Sequence, residues 1–187
     1  MKLNLGSGSK ILEGYTNVDK YDYYKPDIVH DLENFPYPFD DNSIDEILLS
    51  HVLEHIGQSP DTFLKIIKEL YRICRNDSLI KIIVPHPRHD DFISDPTHVR
   101  PITILGLQLF DKELNLKWEK QNAANTPLAL INNVNFKIKN VKYNLDSKYV
   151  QKFQNKNIEK SQVDNDVLKW NNVVKEMVID WHVVKNQ

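Results

Sequence analysis

Five short apolar runs in this chain each stop at a polar or glycine-bearing residue. Leu3–Leu5 ends at Gly6-Ser7-Gly8, Tyr15–Val18 at Asp19, Asp27–His30 at Asp31, Ile44–Leu49 at Ser50-His51, and Leu79–Val84 at Pro85. Runs of this length, rich in Leu, Ile and Val and separated by polar connections, read as buried strands. One strongly periodic helix lies between the fourth and fifth runs. Ser59 suits its cap, Pro60 its first position and Asp61 its positive end. Phe63, Ile66, Ile67, Leu70, Tyr71 and Cys74 then recur at three- and four-residue intervals, and Asn76 marks the stop. Two further strands are predicted at Phe136–Leu145 and Val173–Val184. The pattern predicts an α/β fold with a doubly wound, mostly parallel, seven-stranded sheet. In such sheets ligands bind beyond the carboxyl ends of the strands, so the five terminal residues are expected to converge.

With 187 residues, 41% of them hydrophobic, the chain supports a single domain over 1–187. Within it, residues 86–132 carry prolines at Pro87, Pro96 and Pro101 and one short helix around Ile102–Leu116. This segment is expected to cover the crevice. Ser147 to Asp166, rich in Lys, Asn, Gln and Ser, reads as a surface excursion or mobile loop. A net charge of -2 argues against a nucleic-acid partner. The seven lysines from Lys137 to Lys160 fit a solvated face, because Arg is absent among them and aromatic partners are sparse. The single cysteine, Cys74, excludes an internal disulfide. No apolar run approaches the ~20 residues of a membrane span, and Met1–Gly6 lacks a secretion-signal core. A cytoplasmic protein without membrane contact is expected; the oligomeric state is not specified.

Two of only five glycines fall in Gly6-Ser7-Gly8, directly after the first strand. Glycine there admits backbone conformations closed to other residues and close approach of a ligand. A dinucleotide fingerprint would need glycine at position 11, which is Ile11, and an acid ~20 residues on, whereas Asp19 comes sooner. A phosphate-cradling lysine loop is also absent. What remains is a cofactor with a ribose and no obligatory pyrophosphate. Asp19 could accept hydrogen bonds from ribose hydroxyls, and Asp31 one from an adenine amino group.

The ordered series Leu3-Asn4-Leu5-Gly6-Ser7-Gly8, Asn17-Val18-Asp19, His30-Asp31-Leu32, Phe35 to Asp45, and Ser50-His51-Val52-Leu53-Glu54-His55-Ile56 resembles class I S-adenosylmethionine-dependent methyltransferases over residues 1–85. The resemblance implies a Rossmann-like fold with S-adenosylmethionine as cofactor. Gly6, Ser7 and Gly8 would face its methionine part, Asp19 its ribose, Asp31 and Leu32 its adenine, and Ser50 and His51 its reactive end. Two departures stand out. Asn4 occupies a position that is commonly acidic in the family, which replaces a charge-assisted cofactor contact by a neutral one. The short Gly8–Asp19 connection leaves too little chain for a full first helix.

His51-Val52-Leu53-Glu54-His55 also spells a metalloprotease motif, but that motif needs a helix at both histidines, and His51 ends a strand-like run. Glu54 and His55 are therefore read as backbone-bonding residues ahead of the helix. A second cluster, His86-Pro87-Arg88-His89-Asp90-Asp91 with Asp95-Pro96-Thr97-His98-Val99-Arg100, follows the fifth strand. It admits three readings: substrate binding with a catalytic base, local His–Asp hydrogen bonds, or a divalent metal. The first is preferred, and no metal is assigned. His89 or His98, with His51 in reserve, is then the base, while Arg88, Asp95 and Arg100 bind substrate. The expected activity is methyl transfer to an oxygen or nitrogen of a small molecule. The alternatives are a cofactor-binding protein without transfer and a metal-dependent hydrolase using the His/Asp cluster.

Overall fold

A computed structural model describes residues 1–185. These residues form a seven-stranded sheet from β1 (Lys2–Leu5), β2 (Thr16–Asp19), β3 (Ile28–Val29), β4 (Ile44–Ser50), β5 (Cys74–Pro85), β6 (Phe136–Leu145) and β7 (Val174–Val183). The strand order is β3-β2-β1-β4-β5-β7-β6. β1 to β5 pair in parallel, and β7 runs antiparallel to both of its neighbours. The α/β, doubly wound, mostly parallel sheet is thus as the sequence predicts. The order in which strands are added reverses at β1, between β2 and β4, which opens a crevice at their carboxyl ends.

Helix α1 (Pro60–Ile73) carries the crossover from β4 to β5. Ser59 Oγ accepts from Thr62 N at 3.1 Å, Pro60 occupies the first turn, and Phe63, Ile66, Ile67, Leu70 and Ile73 are buried. It stops three residues before Asn76. Cys74 already pairs with Ile44, and an irregularity follows before Glu46 pairs with Leu79. Sheet pairing therefore overrides the continuing apolar period. Burial pushes the Cys74 thiol up to about 12, so it behaves as a core residue.

No helix joins β1 to β2, which goes further than the shortened first helix expected. Two buried asparagines do its work. Asn4 Nδ2 donates to Lys10 O (2.7 Å) and Asn17 Oδ1 (2.9 Å), and Asn17 Oδ1 accepts from Leu12 N (2.9 Å). Asp27 Oδ2 receives Asn17 N at 2.7 Å and Nδ2 at 3.0 Å, tying the connection to the approach of β3. Internal polar bonds thus satisfy a backbone that would otherwise need helical pairing.

The stretch expected to be loose, Ser147 to Asp166, instead contains α6 (Ser147–Gln154) and most of α7 (Lys160–Lys169), with Asp146 capping the first through Lys148 N at 2.9 Å. Residues 86–132 hold four short helices rather than one: α2 (Asp90–Ile93), α3 (Ile104–Gln108), α4 (Lys112–Lys120) and α5 (Leu128–Asn132). Ile102, Leu107, Phe110 and Ala129 are buried and bind this segment to the core. There Trp181 stacks on Phe136 at 3.9 Å between centroids and meets Phe110 edge-on at 6.0 Å. Among the described residues no helix is long and apolar enough to cross a membrane.

Arg72 fastens the loop after β3 onto α1. Its guanidinium binds both Glu69 oxygens at 2.8 Å and donates to Phe39 O (2.9 Å), Tyr37 O (3.1 Å) and Asp41 (2.6 Å). Arg72, followed by the Tyr37 amide, holds the Glu69 carboxyl below the usual range against the opposing effect of burial. A lowered folded-state value stabilises the protein above the unfolded carboxyl pKa of about 4.3 and is lost as pH falls through the folded value. Glu69→Gln is accordingly expected to lower Tm at pH 6 and to narrow the gap to wild type at pH 3.5. A mutant–wild-type gap that does not change with pH would exclude this contribution.

Candidate active site

A crevice of about 280 Å³ opens at the carboxyl ends of β1, β2, β3 and β4, lined by Gly6, Asp19, Lys20, His30, Asp31, Leu32, Glu33, His51, Val52, His55 and Ile56. Four sequentially remote segments meet here because their strands are adjacent in the sheet. Gly6 forms the floor with φ +67°. A Cβ at this position would lie 2.5 Å from Val52 Cγ2, so only glycine fits both the turn and its neighbour. Gly6 N and Ser7 N both donate to Val18 O, at 2.8 and 3.0 Å, locking the turn onto β2. Beneath it the Ser7 hydroxyl is buried without a partner.

Asp19 is held by two amides, accepting Gly8 N on Oδ2 at 2.8 Å and Tyr21 N on Oδ1 at 2.9 Å. Each carboxylate oxygen keeps a second lone-pair position for a ligand hydroxyl. Asp31 is oriented in the same way through Oδ1 and Glu33 N (2.9 Å), which leaves Oδ2 for the crevice. Leu32 supplies an apolar wall next to it, and its carbonyl is fixed by the Tyr37 hydroxyl at 2.8 Å. Glu33, which sequence reading did not single out, also lines the crevice and binds Gly57 N at 2.7 Å.

At the far wall, His51 follows β4 with φ +56°. Its Nδ1 lies 3.4 Å from Glu54 Oε1 and its Nε2 3.0 Å from Glu176 Oε2. The Glu54 carboxylate, aided by Glu176, raises the imidazole pKa against partial burial. Glu176 is 125 residues away, on β7, and no local pattern announces it. Residues 51–56 are not helical, which removes the geometry a helical zinc-protease motif requires. His55 does more than bond to nearby backbone: it lines the crevice and places Nδ1 2.9 Å from Thr97 Oγ1.

Several residues expected in the site lie elsewhere. The Asn4 amide sits behind the glycine turn, committed to Lys10 and Asn17, rather than facing a cofactor. Ser50 ends β4 but does not line the crevice. The proposed base His89 is sequestered, which corrects that expectation: Asp91 N donates to Nδ1 (3.1 Å), and Nε2 faces Asp146 Oδ2 at 3.3 Å. Arg88 likewise corrects its assignment to substrate, because its guanidinium holds the end of α7 through Val167 O (2.8 Å) and Trp170 O (2.6 Å). Arg100 donates to Gly57 O at 2.8 Å and lies over the Phe63 ring at 4.3 Å, beside a different cavity of about 300 Å³ between α1 and α3. Asp95 holds Thr97 through its amide (2.8 Å) and hydroxyl (2.6 Å). His98 stacks on Phe92 and reaches the crevice only through His55. Structural hydrogen bonds, several of them to residues 43 to 82 positions away, therefore occupy most of the 86–100 cluster.

Residues 12–82 match the family described as a methyltransferase domain. Among curated proteins no sequence relative is found. In fold, the chain is similar to a SAM-dependent methyltransferase from Archaeoglobus fulgidus, with TM-score 0.58 and 17% identity over 97% of this chain and 85% of that one. It is also similar to a SAM-dependent methyltransferase from Methanosarcina mazei, with TM-score 0.55 and 13% identity over 99% and 92%. A third similar structure is the Burkholderia thailandensis 1,6-didemethyltoxoflavin-N1-methyltransferase, which holds 1,6-didemethyltoxoflavin and S-adenosylhomocysteine; its TM-score is 0.50 and its identity 11% over 98% and 71%. Residues 12–82 thus resemble a methyltransferase domain in sequence, and the described chain shares the fold of solved SAM-dependent methyltransferases.

Proposed function

We propose that this protein transfers a methyl group from S-adenosylmethionine to an oxygen or nitrogen of a small molecule. The observation that carries this reading is the convergence of Gly6, Asp19, Asp31 and His51 on one crevice at the strand tips. When bound, S-adenosylmethionine supplies an electrophilic methyl on a sulfonium, so the protein's task is chiefly to orient reactants. The crevice fits such a group. Gly6 leaves room against the main chain, and Asp19 and Asp31 present separate acceptors for hydroxyls and an amine. Leu32, Val52 and Ile56 contribute apolar walls.

Of the three histidines assigned as possible bases, His51 lines the crevice, and Glu176 and Glu54 hold its ring from two sides. We assign it the acceptor's proton, which it takes on Nε2 once that nitrogen parts from Glu176 and presents a lone pair. Positioning can supply ~7–11 kcal/mol of a barrier, whereas a base adds ~10²–10⁴-fold, so orientation carries the larger share. A small acceptor suits a chain in which residues 86–132 pack on the core rather than form a separate substrate domain. The assignment is tested by titration calorimetry with S-adenosylhomocysteine. One-to-one binding is expected, and absence of binding would overturn the reading. Binding without S-adenosylhomocysteine formation from S-adenosylmethionine across a panel of hydroxyl and amine acceptors would favour a protein that keeps the pocket but not the transfer.

A further inference from the structure

Next to the crevice is a cluster that the cofactor reading leaves unexplained. The Glu54 carboxylate is fully buried, and neither oxygen accepts a hydrogen bond, although His51 Nδ1 approaches Oε1 at 3.4 Å. A carboxylate removed from water without donors is strongly disfavoured unless a positive charge faces it, and His51, which Glu176 also holds, approaches Oε1 and leaves Oε2 without a partner. Two imidazoles adjoin it, His55 and His98, with ring centroids 4.5 Å apart. One nitrogen of each and one Glu54 oxygen all lie within 4.8 Å of one another.

The hydrogen bonds set the tautomers of both rings. Thr97 Oγ1 spends its single proton on Asp95 Oδ1 at 2.6 Å, so across 2.9 Å it is His55 Nδ1 that donates to Thr97. His98 Nδ1 faces the Phe92 carbonyl at 2.7 Å, and a carbonyl only accepts. In each neutral ring Nε2 therefore keeps its lone pair. Metal-binding histidines characteristically donate the other ring proton to a carbonyl or similar acceptor.

We propose that Glu54, His55 and His98 bind a divalent transition metal of the zinc class. Two imidazole nitrogens and one carboxylate are a ligand set suited to such ions. Ligand atoms around a tetrahedral zinc with bonds of ~2.0–2.1 Å stand about 3.3 Å apart, so modest side-chain rotation draws this cluster in. Asp95 Oδ2, 3.8 Å from His98 Nε2, adds negative charge at the rim. Three protein ligands leave a fourth position, and His55 belongs to the crevice wall, so that position adjoins the place proposed for the acceptor. There the metal would bind the acceptor's oxygen or nitrogen and ease loss of its proton. Only this role rests on the methyl-transfer reading; metal binding itself does not.

The test uses the full chain without a histidine tag, freed of metal by chelator and dialysis. Titration with Co²⁺ is expected to give the visible absorption of a nitrogen- and oxygen-liganded site at one equivalent, and Zn²⁺ to displace it. Glu54→Gln and His98→Asn are each expected to weaken Zn²⁺ binding at least 100-fold. Glu54→Gln removes both a buried charge and the ion pair with His51, so the discriminating readout is the metal's effect: added Zn²⁺ should raise Tm for wild type alone. Should Glu54→Gln fail to fold, His55→Gln, which alters a partly exposed ring, serves in its place. No stoichiometric Co²⁺ or Zn²⁺ binding, or equal binding by a folded ligand variant, would overturn the site. Zinc binding without S-adenosylhomocysteine binding would uphold it while overturning the cofactor assignment.

Discussion

Asp19→Ala is expected to weaken S-adenosylhomocysteine binding by at least about 100-fold, or about 2.8 kcal/mol at 1.4 kcal/mol per tenfold. The carboxylate lines the crevice with both oxygens oriented by amides, Gly8 N and Tyr21 N. Two ribose hydroxyls would donate to a fixed anion, and hydrogen bonds to charged groups contribute ~1.5–3 kcal/mol each. Alanine removes these bonds and also frees the turn that Asp19 anchors. Asp19→Asn separates the two effects, because its amide oxygen can still accept from Gly8 N while the charge is lost. Calorimetry should place it between wild type and alanine. An alanine variant within threefold of wild type would show that Asp19 does not hold the ribose.

Gly6→Ala is expected to lower both stability and cofactor affinity. The added methyl group would meet Val52 Cγ2 at 2.5 Å and Cγ1 at 2.9 Å, and φ +67° is a left-handed conformation. The conformation costs ~1–2 kcal/mol for a residue with a side chain, and overpacking typically ~1–3 kcal/mol. A loss of about 2–5 kcal/mol in urea unfolding is therefore expected. Val52→Ala in the same chain should recover the overpacking share and leave the conformational share. Full recovery would show that the turn tolerates alanine and that its glycine serves only to clear Val52. Gly8 is an informative contrast: its φ is +49°, but nothing lies within 4 Å of an added Cβ. Gly8→Ala should lose only the conformational part.

The parts of this molecule legible in its sequence are those written locally. Apolar runs mark the strands, and the termini expected to converge do so for Gly6, Asp19, Asp31 and His51. Ser59, Pro60 and the apolar period locate α1. Long-range pairing was not legible. Whether a histidine faces a cofactor or fills a gap depends on what lies opposite, and Asp146 opposite His89 and the end of α7 opposite Arg88 come from sequence 57 or more residues away. Glu176 reaches His51 because β7 enters the sheet antiparallel beside β5, a placement no periodicity encodes. Ser147–Asp166 is rich in Lys, Asn, Gln and Ser, yet Asp146 caps α6 and Val163 is buried on α7, so a few anchors order a stretch whose composition suggests a loose one.

The helix-free link between β1 and β2 also bears on which ligands the turn refuses. Where a helix follows such a glycine turn, its open amides and dipole welcome phosphate. Here Gly6 N and Ser7 N are committed to Val18 O and Gly8 N to Asp19, and no helix follows within the link. A polyanion would meet the Asp19 carboxylate with none of these three amides free to offset it. With Lys20 the one lysine on the crevice wall, the turn itself is expected to favour an adenosyl group that carries an amino acid over a polyphosphate such as that of ATP.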